Sequence, residues 1–349
     1  MSTSSELAGA LAGQPARKPA GRSPFRRVVT NQQFVLFVVL VGLIVFFGVR
    51  NSLFFRVGEF SNLLTDFSGL ILIAIAETYV ITAGGIDLAV GSTAAVTGVV
   101  AAGWIQPLVS HHVNAALVLL LGAVISAVIG AAAGAFSALM ITVFRLVPFV
   151  ATLVTYSAGA GLALVISHGA PVGYNPGAIY WSATGVSIVT WLVAIVLVLS
   201  IGLGLILHLT IYGRYNFAIG SNEFAARAAG ISVRRHLVSV YVLSGVLAGL
   251  TGMFFYIRSG SGAATTGVTN SANLLAIAAV VIGGASLYGG VGRWSGTMLG
   301  AAVLTVVSDG LIFINVPPTW IQVVVGALIA LAALLQTFRR RGGATGRTT

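Results

Sequence analysis

The sequence predicts an all-α, polytopic membrane protein, and three observations carry that prediction. Charged side chains make up 7% of the 349 residues against 57% hydrophobic ones, whereas a soluble domain carries about a quarter charged residues. Ten apolar segments follow one another, each near the ~20 residues that a helix needs to cross hydrocarbon. The basic residues fall on alternate connections between those segments. With a mean hydropathy of +1.02, the chain holds more apolar surface than a soluble core consumes.

The segments run roughly 32–49, 63–82, 88–106, 115–141, 148–166, 185–209, 237–257, 271–287, 296–314 and 319–336. Gly84-Gly85 ends the second, Pro148 opens the fifth, and Pro317-Pro318 separates the last two. Before them, residues 1–29 are rich in Ser, Ala, Gly and Pro and carry Arg17, Lys18, Arg22, Arg26 and Arg27. That composition predicts a flexible basic tail. A signal peptide fits less well, because Phe34 to Val49 is long for one and no small-residue cleavage site follows. The membrane domain is then 30–338, followed by a second basic tail, 339–349.

An N-terminus in the cytoplasm puts on the inner side the tail, Arg145, the stretch 210–236 with Arg214, Arg227, Arg234 and Arg235, then Arg293 and the C-terminal arginines. Those segments hold 15 of the 18 basic residues, and only Arg50, Arg56 and Arg258 fall outside. The bias predicts an even number of spans with both termini cytoplasmic.

The longest interior interruption is Ile211 to His236. Asn222 can cap an N-terminus there, with Glu223 on the favourable end of the dipole. Phe224 to Ala229 is helix-compatible, and Gly230-Ile231 is a C-terminal stop. A helix of about two turns spans only ~10 Å, so it belongs on an aqueous face.

Two glycine clusters occupy matching places on the inner side: Gly84 to Ser92, GGIDLAVGS, and Gly283 to Gly296, GGASLYGGVGRWSG. Asp87 reads first as a turn cap, while a broken helix at this depth also suits a gate. Glu77 and Asp309 fall inside apolar runs and Asp66 near an outer end. Hydrogen bonding within the bundle is favoured over an ion relay for them, since no intramembrane Lys, Arg or His is placed to complete one.

Enzymatic chemistry has no support. Cysteine is absent, no paired-carboxylate or nucleophile motif occurs, and the outer His111-His112 pair lacks further metal ligands. The only lysine is Lys18, so neither glycine cluster is a phosphate-binding loop. In a chain this apolar the net charge of +11 concerns orientation in a membrane, and no nucleic-acid partner is expected. In the outer loop Ser167 to Trp181, Tyr180-Trp181 reads as an interfacial aromatic anchor.

GGIDLAVGS, GSNEFAARAAGIS, SGVLAGLTG and IAAVVIGGASLYGGVG together resemble the membrane-spanning permeases of bacterial ATP-binding-cassette importers for ribose and related monosaccharides. The resemblance covers about residues 32 to 336. It implies a ten-helix permease of the cobalamin-importer type in the bacterial inner membrane, without an ATPase site of its own. It also implies a second permease subunit (most simply a homodimer), a cytoplasmic ATPase that binds ATP and Mg, and an extracytoplasmic sugar-binding protein. The coupling helix would comprise Asn222, Glu223, Phe224, Ala225, Ala226, Arg227 and Gly230, where Phe224 departs from the simpler E-A-A-x-x-x-G pattern. Gly84, Gly85, Asp87, Gly91, Ser92, Thr93, Asn273 and Ser308 are then candidates for the gate and pathway, chosen by polarity and helix position. No cofactor or metal is expected on this chain. The rival readings are an ion-coupled secondary transporter of a small polar solute using Glu77, Asp87 and Asp309, and a membrane scaffold without transport.

Overall fold

The computed structural model describes residues 32–110, 114–173, 177, 184–186, 188–265 and 272–344. The expectations for the tail 1–29, for His111-His112 and for Tyr180-Trp181 lie outside these residues. The chain forms α1 (Gln32–Arg50), a 3-10 turn (Ser52–Phe55), α2 (Val57–Thr82), α3 (Val90–Ser110), α4 (Ala115–Thr142) and α5 (Pro148–Ser167). A hairpin of two-residue strands, β1 (Gly185–Val186) and β2 (Val189–Thr190), precedes α6 (Trp191–Leu209). Then come α7 (Ile211–Ser221), α8 (Glu223–Ala228), α9 (Val233–Ser259), α10 (Ala272–Ile282), α11 (Trp294–Phe313) and α12 (Pro318–Ala344).

All ten apolar segments fall on helices, in order. Seven of these helices (α1, α2, α4, α5, α6, α9 and α11) are long and apolar enough to cross a membrane. The apolar helix α10 is shorter, as is the apolar portion of α12, Thr319–Leu331. Two segment ends differ from expectation for local reasons. Residues 185–186 pair with 189–190 as the hairpin, whose Thr190 side chain caps α6 by accepting from the Val193 N–H at 3.3 Å. Residues 283–287 leave α10 because Gly284 takes φ 97°, a left-handed turn that stops a helix.

A larger difference lies between 211 and 236. The interval is mostly helical, because Thr210 caps an additional helix, α7, which buries Gly213, Asn216 and Ile219. Loop-like polarity concealed it, since its buried side is only one narrow stripe.

The bundle is built around α2. Its apolar window is 83% buried, against 11% for α1, and every residue from Ile71 to Thr82 is buried. A helix apolar on all sides is one enclosed by others. Packed around α2 are α6, α9, α10 and α11. Against it α9 also forms the closest seam with α4. Gly245 and Gly249 of α9 meet Ser126, Gly130 and Gly134 of α4 so closely that a Cβ at Gly130 or Gly245 would strike the other's carbonyl. Gly252 meets α3 in the same way, at Ala94, and the Thr97 hydroxyl donates to the Gly249 carbonyl at 3.1 Å. Lipid tails are as apolar as leucine, so helices gain little by hiding from them, and small residues that admit backbone contact drive association instead.

Gly245→Val therefore has no room. We expect it to cost about 1–3 kcal/mol or more by overpacking, seen as earlier thermal unfolding in detergent. Gly161→Ala, where nothing lies within 4 Å of the new Cβ, should not lower that temperature, since alanine suits a helix interior better than glycine.

Candidate functional site

The break between α2 and α3, residues 83–89, is buried inside the bundle except at Gly84 and partly at Ile86. Irregular backbone among apolar helices must find its hydrogen bonds within the protein; three helices supply them, and a fourth holds the Asp87 side chain. From α2, Glu77 Oε1 accepts the Asp87 N–H at 3.1 Å. From α5, the Thr152 hydroxyl donates to the Ile86 carbonyl at 3.2 Å. From α9, the Ser244 hydroxyl donates to Asp87 Oδ2 at 2.7 Å. From α10, Asn273 Nδ2 donates to the Leu88 carbonyl at 3.3 Å. The other Asp87 oxygen, Oδ1, accepts the Ala89 N–H at 2.9 Å and turns the chain into α3. Both Asp87 oxygens are thus occupied. Two buried oxygens nearby have no hydrogen bond, Glu77 Oε2 and the Tyr241 hydroxyl.

The two glycine clusters share one local geometry and come together. After α2, the Ala83, Gly84 and Gly85 N–H groups donate to the carbonyls of Tyr79, Ile81 and Val80. After α10, those of Gly283, Gly284 and Ala285 donate to Ala279, Val281 and Val280, the same pattern shifted by 200 positions. Gly84 and Gly284 both take positive φ, 90° and 97°. Gly220 of α7 sits where the clusters meet. The Gly290 N–H donates to the Thr82 carbonyl at 3.0 Å, and a Cβ at Gly220 would strike both.

The helix α7 is fastened to the end of α2 by a side chain that its loop-like sequence concealed. Asn216 is fully buried, and its Nδ2 donates to the Tyr79 carbonyl at 2.9 Å and to Thr82 Oγ1 at 2.7 Å. With the amide nitrogen committed as donor, its Oδ1 is the acceptor facing His236 Nε2 at 3.0 Å. The network therefore assigns the imidazole hydrogen to Nε2. Tyr212 and Ser239 share a second bond between α7 and α9 at 3.0 Å. Asn216 and His236 had no signal in the sequence beyond being polar residues in an interhelical stretch.

Beyond α7, α8 has the cap read from the sequence. Asn222 Oδ1 accepts the Ala225 N–H at 3.0 Å. Gly230, at φ 83°, ends the helix, and the Ile231 N–H returns to the Ala226 carbonyl at 3.1 Å. Ala226 packs inward on Ile219 and Val233. Phe224 points away, 82% exposed, beside the Glu223–Arg227 pair at 2.6 Å. Arg145, Arg227, Arg234 and Arg235 line one cavity of about 1200 Å³ at this end, floored by Gly84, Gly85 and Tyr241.

The other pathway candidates separate. Ser92, Thr93 and Asn273 are buried in helix contacts, with Ser92 donating to the Ala89 carbonyl at 3.1 Å. Gly91 lies in the first turn of α3. Ser308 lines a second cavity, between α2, α9, α10, α11 and α12, together with Asp66 and Asp309. Glu77 and Asp87 meet each other, so the three carboxylates of the ion-coupled reading do not form one cluster.

The family described as "Branched-chain amino acid transport system / permease component" matches residues 60–333. The chain belongs to this family. Among curated relatives, the permease is 36% identical over 324 residues to the ribose import permease protein RbsC of Escherichia coli strain K12, covering 90% of this chain and 96% of that one. It is 37% identical over 307 residues to the ribose import permease protein RbsC of Bacillus subtilis strain 168, covering 86% and 91%. It is 32% identical over 317 residues to the fructose import permease protein FrcC of Rhizobium meliloti, covering 88% and 85%. No solved structure matches. The expected resemblance to monosaccharide import permeases holds over most of the chain, and the permease is a multi-pass membrane protein.

In this permease Asn216→Asp would present an acceptor to the Tyr79 carbonyl. We expect a loss of about 1–3 kcal/mol from the unmet polar groups, measured as earlier thermal unfolding of purified protein. Tyr212→Phe, which removes a bond at a part-buried hydroxyl, should cost less.

Proposed function

We propose that this permease is the membrane-spanning subunit of an ATP-binding-cassette importer that carries a monosaccharide inward. All ten apolar helices lie in the membrane in this reading, with both chain ends and the Arg-rich end on the cytoplasmic side of the bacterial inner membrane. The cargo class follows the relatives, whose names specify ribose and fructose, rather than the amino-acid wording of the broad family description. A sugar-binding protein delivers the cargo at the opposite end, and a second permease subunit, most simply an identical copy, completes the unit.

One observation carries the coupling role, the form of α8. Its inner side is anchored by Ala226, its ends are fixed by Asn222 and Gly230, and it holds an exposed Phe224 away from the bundle. An aromatic side chain on a rigid short helix is a typical anchor for a partner's pocket. We assign that pocket to a cytoplasmic ATPase that holds ATP and Mg. Closure of the ATPases would displace α8. The movement would pass through α7 and Asn216 to the end of α2, and so to the glycine turns against it. Gly84 and Gly85 then act as the inner gate, and Asp87 keeps the broken helix in shape.

The ion-coupled reading has less support, because both Asp87 oxygens are hydrogen-bonded and Asp309 lies in a separate cavity.

The test is reconstitution in liposomes with a candidate ATPase and a candidate sugar-binding protein. Labelled sugar should accumulate only with ATP and should ignore a protonophore. Uptake that a protonophore abolishes and ATP depletion spares would sink the importer reading. Phe224→Ala should weaken capture of the ATPase about tenfold or more, as expected of an interface anchor, without changing the unfolding temperature. Undiminished capture would remove Phe224 from the contact.

A further inference from the structure

The second cavity, about 480 Å³ in volume, lies at the end of the bundle opposite the arginine cluster. Its size falls in the range of small-molecule sites. Its polar lining includes Asp66, Arg258, Thr305, Ser308, Asp309 and Gln322. Asp66 of α2 and Arg258 of α9 face each other at 3.5 Å, and Arg258 Nη1 donates to Asn62 Oδ1 at 3.2 Å. Successive turns of α11 add Thr305, Ser308 and Asp309. Thr305 is only 5% exposed, and none of these three side chains makes a hydrogen bond to another described residue. A threonine hydroxyl in a membrane helix ordinarily bonds back to its own preceding turn, as Thr78, Thr97 and Thr251 do here. Thr305 does not, and its side chain lines the cavity instead. Phe254 and Phe255 add apolar rings to the lining.

Two carboxyl groups beside one guanidinium make the set a poor site for an anion. The set has acceptors in Asp66 and Asp309, a donor in Arg258, two hydroxyls that do either, and ring faces for C–H groups. Neighbouring hydroxyls on a carbon skeleton match that arrangement. We propose that this cavity binds a neutral polyhydroxy compound, a monosaccharide or sugar alcohol, inside a single protomer through Asp66, Arg258, Thr305, Ser308 and Asp309. The site's biological cargo rests on the importer reading, whereas its recognition chemistry does not. It would hold sugar near the face where cargo arrives, before the broken helix at 83–89.

The chain contains no cysteine, so a single Leu274→Cys substitution, at a lining position outside the five polar residues, reports on this cavity alone. The full-length variant in lipid nanodiscs, without ATPase or binding protein, would be alkylated by a thiosulfonate reagent. D-ribose or sorbitol at millimolar concentration should slow the labelling, and choline or sodium chloride should not. Adding Asp309→Asn with Thr305→Val should weaken protection about tenfold or more, the loss expected when a charged and a neutral hydrogen bond are removed. Labelling that no polyol slows, that choline slows instead, or that is protected equally in the triple variant would overturn the site. An unchanged unfolding temperature shows that the variants are folded. Measuring ATP-driven uptake by the wild-type chain separates the two readings. Uptake without protection discards the site and keeps the importer, and protection without ATP-driven uptake discards the importer and keeps the site.

Discussion

The constraint on which this bundle depends is the buried, irregular backbone at residues 83–89. Water and lipid cannot serve its N–H and C=O groups there, so the protein must. Glu77, Thr152 and Asn273, from α2, α5 and α10, serve that backbone, and Ser244 of α9 holds the Asp87 side chain. To satisfy them at once, those helices must hold one arrangement. The break in the helix thereby fixes the register of much of the fold. The glycine seam between α4 and α9 then lets α9 lie close enough for Ser244 to reach Asp87. A polar knot thus specifies the arrangement, while close backbone packing supplies the association that apolar side chains cannot supply in lipid.

Local chemistry was legible in the sequence, and long-range pairing was not. Ten apolar segments announced ten helices. The sequence Asn222-to-Gly230 announced α8, because a capping side chain and a stop glycine act on their own neighbours. The resemblance between the two glycine clusters, faint in the letters, proves to be one shared hydrogen-bond pattern at the ends of α2 and α10. By contrast, Asn216 bonds to residues 134 and 137 positions away, and Arg258 bonds to Asn62, 196 positions away. Periodicity carries nothing about such pairs. The polar pathway candidates illustrate the same limit. Ser92, Thr93 and Ser308 look alike as polar residues in apolar runs, yet the first two are enclosed by neighbouring helices and only Ser308 lines a cavity.

The helix α7 shows why the interval 211–236 was harder to read than either neighbour. Membrane helices declare themselves by bulk hydropathy, and isolated caps by residue type. An interfacial helix needs only one buried stripe, here Gly213, Asn216 and Ile219, of which one member is polar and one is glycine. That stripe is chemically unlike a core because its task is to hold backbone carbonyls and to allow the close approach of Gly220.

The positions of the two cavities bear on where cargo can travel. One reaches from the arginine-rich end to Gly84, Gly85 and Tyr241, and the other lies beside Asp66 and Asp309. Between Asp66 and Gly84 run some 18 residues of α2 and its cap, roughly 27 Å at helical rise, and from Ile71 to Thr82 each of them is buried on every side. A route straight through one protomer would have to part α2 from α9 and break the Asp87–Ser244 bond along with its companions. Opening along an outer face of the bundle needs no such rupture. In the importer reading proposed above, the buried α2 is therefore a rigid wall that cargo passes alongside, not a helix that it parts from α9.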